Sequence, residues 1–326
     1  MITVNQTKLP NKFSYIRLNT CRQVADAIKT MKIRGAPLIG VAASYGLALA
    51  AQKTAAKNSK ALLRELNSSA RMLVATRPTG VNLRWAVERV MSKIKETATV
   101  DENKRMVLEE AKRIAEEDYE ANLKIGEYGA RLIEDNDVVL THCNAGSLAT
   151  AGYGTALGVI KTARRQGKEV KVIATETRPL LQGARLTAFE LMREKIPVTL
   201  VTDNMVGYLM WKRLVNKVFV GADRIVRDAV LNKVGTYTIA VLAKENSIPF
   251  YVAAPLSTFD LSKTSKDIAL EERNGEEVTH FGGKRVAPKG VKALNIAFDV
   301  TPEKYVKAVI TEKGVFYPPI AGLLRT

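Results

Sequence analysis

The sequence predicts an α/β protein, in which a mostly helical N-terminal domain (residues 1–122) precedes a Rossmann-like, doubly wound parallel-sheet domain (residues 123–326). Three observations predict this architecture. The chain has 326 residues, more than the ~250–300 at which a single hydrophobic core stops growing. Its first third carries apolar residues at helical spacing. From residue 137 onward, short β-rich runs alternate with helical segments, as in a parallel sheet.

The helical part begins at residues 20–31, "TCRQVADAIKTM", where apolar residues follow a threonine that can cap a helix. Residues 33–53, "IRGAPLIGVAASYGLALAAQK", predict a turn that leads into an alanine-rich, closely packed helix. Residues 77–96, "RPTGVNLRWAVERVMSKIKE", repeat the plan with a proline-containing turn and an amphipathic helix. A long charged helix, from about residue 101 to about 134, is expected to join the two domains.

Six β-rich runs follow, and they read "DVVLTHC", "KEVKVIATET", "IPVTLVTD", "NKVFVGAD", "IPFYVAAP" and "LNIAFDVTP". Polar residues stand at the ends of four of them: Cys143, Glu176, Asp203 and Asp223. Because the carboxyl ends of parallel strands meet at one edge of the sheet, where such folds bind ligands, we expect these residues to line one crevice.

Composition excludes several classes of protein. The chain is 46% hydrophobic and 25% charged, as in ordinary globular proteins, and its longest apolar stretch, residues 37–51, is too short and too rich in Ala and Gly to span a bilayer. No signal peptide is visible, so the cytoplasm is expected. The formal charge of +17 suits a phosphorylated metabolite, but basic residues alternate with acids along the predicted helices, which disfavours nucleic acid as the main ligand. No GxGxxG or Walker A sequence signals a nucleotide cofactor.

The chemistry is expected around residues 140–163, "LTHCNAGSLATAGYGTALGVIKTA". A buried strand over residues 137–142 leads into a loop of small residues, and a helix over 155–167 follows and ends at a glycine. Backbone N–H groups of such a loop can hold an anion at the helix N-terminus. His142 and Cys143 alternate along the strand and should point to opposite faces, so a Cys–His pair is not expected. Two cysteines and two histidines support neither a disulfide framework nor a metal site.

Two residues could carry the reaction, and each has a structural alternative. Asp223, in "VFVGADRIVRD", is either a cap on the following turn or a partly buried acid that transfers a proton. Cys143 is either a small buried apolar residue or a reactive thiol. The residues alone leave both alternatives open.

Arginines in turns supply candidate anion sites. Arg34, Arg77 and Arg178 each lie in a turn marked by Gly or Pro, which positions a planar bidentate donor suited to phosphate. Gln182 and the pair Asn232 and Lys233 could add donors for sugar hydroxyls and phosphate.

In order along the chain, eight blocks resemble the methylthioribose-1-phosphate isomerase family, aldose–ketose isomerases of methionine salvage. The blocks are "IRGAPLIGVAASYGLALA", "TRPTGVNL", "THCNAGSLATAGYGTALGVI", "ETRPLLQGARLTAFEL", "TLVTDNM", "VGADRI", "NKVGTY" and "EERNGEEVTH". The resemblance implies a phosphorylated sugar substrate, no cofactor or metal, and a homodimer. Its catalytic pair falls on Cys143 and Asp223, and its substrate-binding positions are Arg34, Gly35, Ala36, Arg77, Gln182, Asn232 and Lys233.

The sequence departs from the family at two places. The chain begins close to "NQTKLP", so the strand that usually precedes this segment is expected to be short or missing, and Ile296 stands where the family commonly has proline. Ribose-1,5-bisphosphate isomerase and the regulatory subunits of translation initiation factor two B share the fold and are the alternatives. The loop "CNAGSLATAGYGTALG" favours the methylthioribose enzyme, and the Cys143–Asp223 pair argues against a non-catalytic subunit.

Overall fold

The structure is a computed structural model that describes the backbone of residues 1–325 and the side chains of residues 1–322. The α-helices of the described residues are α1 Cys21–Lys29, α2 Ala36–Gln52, α3 Ser59–Val74, α4 Val81–Met91, α5 Val100–Ala130, α6 Ala156–Arg165, α7 Ala188–Arg193, α8 Val206–Trp211, α9 Thr236–Glu245 and α10 Glu276–Thr279. None of these helices is long and apolar enough to cross a membrane.

The strands are β1 Ile2–Val4, β2 Tyr15–Arg17, β3 Val138–Thr141, β4 Lys171–Thr175, β5 Val198–Val201, β6 Lys217–Val220, β7 Arg224–Val226, β8 Ala229–Lys233, β9 Phe250–Ala253, β10 His280–Phe281, β11 Lys284–Arg285, β12 Phe298–Pro302, β13 Ala308–Thr311 and β14 Gly314–Phe316. The N-terminal strand is short but present, because β1 pairs antiparallel with β2.

The first four helices form one apolar core with the first half of α5. Helix α1 begins where its sequence predicts, since the Thr20 side chain accepts a hydrogen bond from the backbone N–H of Gln23. Helix α5 begins with a reciprocal capping box between Thr99 and Glu102. It runs unbroken for 31 residues, so its first half packs on the N-terminal helices and its second half on the sheet domain.

A seven-stranded sheet in the order β14-β13-β9-β6-β3-β4-β5 forms the second part of the chain. Six strands are parallel, and only β14 pairs antiparallel, with β13. Successive residues of one strand enter cores on opposite faces: Leu140 packs with helices α8 and α9, and Val139 packs with α5 and α6. This two-sided burial is that of a doubly wound sheet, which confirms the predicted fold class.

One strand assignment was wrong. The run at residues 294–302 was expected in the parallel sheet, but its strand β12 pairs antiparallel with β8, in a separate three-stranded sheet with β7. The sixth parallel strand is β13, whose residues "AVIT" are all buried. Strand β12 has a mixed burial pattern instead. The small sheet brings the end of β8 to the carboxyl edge of the main sheet.

Candidate functional site

Cys143 lies on a strained turn at the carboxyl end of β3. The strand ends at Thr141, one residue earlier than expected, and Cys143 adopts a left-handed backbone conformation with φ +61°. This conformation is uncommon for a residue other than glycine and persists only where the surroundings enforce it. Here the Cys143 N–H donates to Thr177 Oγ1 at 2.9 Å, and its carbonyl accepts from Thr187 Oγ1 at 2.5 Å.

His142 is a buried structural residue rather than a base for the thiol. Its Nε2 lies 2.8 Å from the carbonyl oxygen of Val234, and its Nδ1 lies 2.6 Å from Thr175 Oγ1. Because a carbonyl can only accept, Nε2 carries the proton and Nδ1 accepts from the threonine hydroxyl. Burial lowers the pKa of His142, which keeps the ring neutral. Both nitrogens are occupied, in agreement with the expectation that His142 and Cys143 do not form a catalytic pair.

Six of the nine predicted site residues line a single pocket. They are Arg34, Gly35, Ala36, Cys143, Asp223 and Asn232. Three separate parts of the chain meet here: the turn before α2, the turn after β3, and the small sheet with the turn that leads into it from β6. The pocket shares Arg34 with one neighbouring cavity and Asp223 with another.

Buried charges of opposite sign set the protonation states in this pocket. Burial raises the pKa of Asp223, although the positive charges of Lys233, Arg77 and Arg34 oppose the rise. Burial also raises the pKa of the Cys143 thiol, against the effect of Arg34 and Lys233. The pocket therefore favours a neutral thiol and a carboxyl group that retains its proton to higher pH than a solvated one.

Lys233 follows Asn232 at the end of β8 and is 8% exposed. Its Nζ donates to the carbonyl oxygen of Ala297 at 2.8 Å and lies 4.6 Å from the centre of the Phe298 ring. Burial lowers the pKa of Lys233, while Cys143 and Asp223 oppose that change. Asn232 is fixed through its Nδ2, which donates to Thr236 Oγ1 at 3.1 Å.

Arg77 lies in a neighbouring cavity that also reaches Asp223. The other walls are mainly apolar and include Ile39, Leu231, Ile268, Leu270 and Phe298. Arg77 Nη2 lies 3.4 Å from Glu271 Oε2, so a carboxylate accompanies its charge. Its Nε is buried and has no hydrogen-bond partner among the described residues, which leaves one directed donor for a ligand.

Gln182 lies on the opposite side of Arg34, in a second neighbouring cavity of about 380 Å³ that Arg34 also lines. The Gln182 side chain is 3% exposed, and its Oε1 has no hydrogen-bond partner within the described part of the chain.

Arg178, in contrast, points away from these cavities, because its guanidinium donates to the Val278 carbonyl and lies over the Phe281 ring. Arg178 is therefore not part of the site.

The loop after Cys143 does not offer all the free N–H groups that its small residues suggested. Glu190 accepts from the backbone N–H groups of Ser147 and Leu148, and Asp118 accepts from that of Ala151. The start of α6 is also occupied, since the N–H groups of residues 155 and 157 donate to one carbonyl, that of residue 145. Part of the loop backbone is thus already engaged, and an anion held by the remaining N–H groups stays a prediction.

Glu190 was missed by the sequence analysis. It is half-buried, and burial raises its pKa. Besides holding the loop, its Oε1 accepts from Asn144 Nδ2 at 2.8 Å, and Asn144 Oδ1 accepts from Arg34 Nη1 at 2.6 Å. The segment "TAFEL" around Glu190 reads as an ordinary amphipathic helix and contains no signal for this role.

Known proteins are similar to this chain over nearly its whole length. A family model described as "Initiation factor 2 subunit family" matches residues 32–318. A protein of Desulforamulus reducens named methylthioribose-1-phosphate isomerase is 55% identical over 322 residues, which are 98% of this chain and 93% of the relative. The crystal structure of 5-methylthioribose 1-phosphate isomerase from Pyrococcus horikoshii has a TM-score of 0.90 at 44% identity, covering 99% of this chain and 92% of that one. A crystal structure from A. fulgidus, described as translation initiation factor eIF-2B subunit delta, has a TM-score of 0.86 at 53% identity and covers 98% of this chain and 94% of that one.

Proposed function

This chain belongs to the initiation factor 2 subunit family, and we propose that it is an aldose–ketose isomerase that converts 5-methylthioribose 1-phosphate to 5-methylthioribulose 1-phosphate in methionine salvage. The observation that carries the proposal is the shared buried pocket of Cys143 and Asp223. Relatives above 50% identity that bear this enzyme's name support it. A regulatory subunit without catalysis has no need for a carboxyl group buried beside a thiol, and burying that carboxyl group costs folding free energy.

The substrate poses a specific chemical problem. A sugar with phosphate on C1 is locked as a ring and cannot open to a free aldehyde. Asp223 is the group that can protonate the ring oxygen, because its raised pKa keeps a proton available on the carboxyl group. The bond between C1 and the ring oxygen then breaks while the phosphate stays on C1.

Hydrogen must next move from C2 to C1, by one of two routes. In the first, Cys143 as a thiolate removes the C2 proton and an enediol-like phosphate forms; a proton then returns to C1 while the C2 hydroxyl loses its own proton. In the second, the C2 hydrogen moves to C1 as hydride, the C2 hydroxyl loses its proton, and Cys143 assists. Arg34 and Lys233 would stabilise a Cys143 thiolate in the first route, whereas burial keeps the thiol neutral for the second. The reaction in heavy water separates them: solvent deuterium at C1 indicates proton transfer, and complete retention of the C2 hydrogen favours the hydride shift.

The two neighbouring cavities favour methylthioribose over ribose 1,5-bisphosphate. The cavity on the Asp223 side is mainly apolar, and its two arginines are each paired, Arg77 with Glu271 and Arg224 with Asp260. A methylthio group suits such walls, but a second phosphate there would lose hydration without gaining an unpaired cation. The cavity on the Arg34 side carries several cations. A substrate with one phosphate and one apolar end matches this asymmetry.

Two substrate assays and one variant test the proposal. We expect turnover of 5-methylthioribose 1-phosphate, little turnover of ribose 1,5-bisphosphate, and loss of activity in Cys143→Ser with its fold retained. A preference for the bisphosphate would identify the protein as a ribose-1,5-bisphosphate isomerase instead. No turnover of either sugar would favour a regulatory role. The homodimer and the cytoplasmic location expected from the sequence belong to this proposal as well, and light scattering of the purified protein tests the dimer.

A further inference from the structure

The cavity beyond Arg34 has a marked excess of positive charge. Its lining includes Lys29, Arg34, Arg185 and Arg273, with one carboxylate, Glu277. That carboxylate is already engaged, because Arg273 Nη2 lies 2.6 Å from Glu277 Oε1. Three cations therefore face a cavity of about 380 Å³ without a carboxylate among its walls to balance them.

Of these cations, Arg34 is buried and Arg185 is half-buried. Arg34 donates to the side-chain and backbone oxygens of Asn144 at 2.6 and 3.0 Å. Arg185 donates to the backbone carbonyls of Gln6 and Leu9 at 2.8 and 3.1 Å. Within the described residues neither guanidinium lies in ion-pair distance of a carboxylate, so neutral oxygens alone compensate their charges.

The two guanidiniums are close enough to repel each other. The positive charge of Arg34 adds to burial in lowering the pKa of Arg185. Two like charges held together in a poorly solvated place destabilise a protein unless an anion joins them. Arginine forks facing one cavity are also the arrangement that binds a phosphate through several charge-assisted hydrogen bonds.

A third group indicates a polar ligand at the same place. Gln182 lines the cavity, is 3% exposed, and has a side-chain oxygen without a hydrogen-bond partner in the described structure. A buried carbonyl oxygen of this kind costs folding free energy when it lacks a donor. A sugar hydroxyl beside the phosphate would satisfy it.

We propose that Arg185, together with Arg34, binds the phosphate of the substrate, and that Gln182 accepts a hydrogen bond from a hydroxyl of the sugar. Arg34 lines both this cavity and the pocket of Cys143 and Asp223, so a phosphate bound to Arg34 would lie beside the pocket that holds the reacting carbons. The assignment of a sugar phosphate rests on the proposed function, whereas the anion site itself rests only on the cavity and its charges.

The alternative is that Arg185 is only a structural tie. Two of its three hydrogen bonds join residues 6–9 to the π-helical turn Gly183–Thr187, and the third goes to the Leu180 carbonyl. This reading explains the donors but not the charge, because a neutral side chain can donate to carbonyls without the cost of burying a cation. It predicts a loss of stability on substitution, with unchanged affinity for anions.

The test measures the affinity of inorganic phosphate by calorimetry on the full chain, with the melting temperature of each variant. We expect Arg185→Met to weaken phosphate binding about ten- to a hundredfold, the loss of one or two charge-assisted hydrogen bonds. Arg185→Lys should recover part of the affinity. Arg164→Met is the matched control, because Arg164 is also partly buried but pairs with Glu169 at 2.7 Å and does not line the cavity.

The proposal is overturned if Arg185→Met binds phosphate with unchanged affinity, or if Arg164→Met loses as much affinity as Arg185→Met. It is also overturned if the wild-type protein does not bind phosphate at millimolar concentration. If Arg185→Met does not fold, Arg185→Lys decides alone: lower affinity at an unchanged melting temperature supports the site, and unchanged affinity refutes it. Turnover of 5-methylthioribose 1-phosphate on the same preparations separates the two proposals. A wild-type protein that binds phosphate through Arg185 but does not turn over that sugar would refute the function and leave the anion site standing.

Discussion

The carbonyl oxygen of Cys143 accepts a hydrogen bond from Thr187 Oγ1 at 2.5 Å. Thr187 is fully buried in the turn that follows β4, 44 residues further along the chain. With the bond from the Cys143 N–H to Thr177 Oγ1, both backbone polar groups of the cysteine are held by threonine hydroxyls. This arrangement explains how a residue at φ +61° keeps its thiol aimed at the pocket.

Removal of that hydroxyl should reduce turnover. We expect Thr187→Val to lower kcat about tenfold or more, because an unsatisfied buried carbonyl costs ~1–3 kcal/mol and frees Cys143 to relax. Thr187→Ser keeps the hydroxyl and should retain most of the activity. A lower melting temperature with unchanged kcat in Thr187→Val would show that the bond serves only the fold.

Asp223→Asn should abolish most of the activity without unfolding the protein. A positioned acid or base contributes roughly 100-fold or more to turnover, and the amide fits the same space. Steady-state kinetics and circular dichroism on one preparation check both parts. Near-normal turnover would reduce Asp223 to a cap on the turn before β7.

The same variant should show a defined dependence of stability on pH. Burial raises the folded-state pKa of Asp223 above its ordinary value, so the folded state binds more protons than the unfolded state. The carboxyl group therefore destabilises the protein increasingly as the pH rises from the ordinary pKa to the raised one. Asp223→Asn lacks this ionisation. Its melting temperature relative to wild type should therefore be higher at pH 8 than at pH 4, and an opposite trend would contradict the raised pKa.

Cys143 should react slowly with alkylating agents at neutral pH. Burial raises the pKa of its thiol, and the thiolate is the reactive form. The other cysteine, Cys21, has a pKa raised to about 11, and a Cys21→Ala background assigns the whole signal to Cys143. Mass spectrometry after iodoacetamide treatment should show a rate at least about tenfold below that of free cysteine at pH 7. A rate above that of free cysteine would indicate an activated thiolate instead.

Arg77→Ala should weaken substrate binding about ten- to a hundredfold, as expected for the loss of the one charge-assisted hydrogen bond that its Nε is left to donate. Arg77→Lys should recover only part, because an ammonium group keeps the charge but lacks the planar fork. The melting temperature and KM are measured on each variant. A large loss of stability with unchanged KM would mean that Arg77 only pairs with Glu271 and supports its turn.

Much of the fold follows from local sequence. The Thr20 cap, the alanine-rich helix α2 and the alternation of buried strands with helices each depend on neighbouring residues, and each appears where it was predicted. The same holds for the position of Cys143 and Asp223 at strand ends, because parallel strands place their carboxyl ends at one edge of a sheet. Local patterns could not separate β12 from β13, since both are short β-rich runs whose partners lie far away in the chain.

The use of each polar group was decided only by tertiary structure. The small residues after Cys143 predicted free N–H groups, but Glu190, which is 43 residues from Ser147, takes two of them. The sequence around Arg178 and Arg185 does not tell which of the two arginines lines a cavity with Arg34, and in the structure it is Arg185. Secondary structure depends on interactions within a few residues, whereas the hydrogen-bond partner and charge balance of a side chain depend on groups that meet only after the chain has folded.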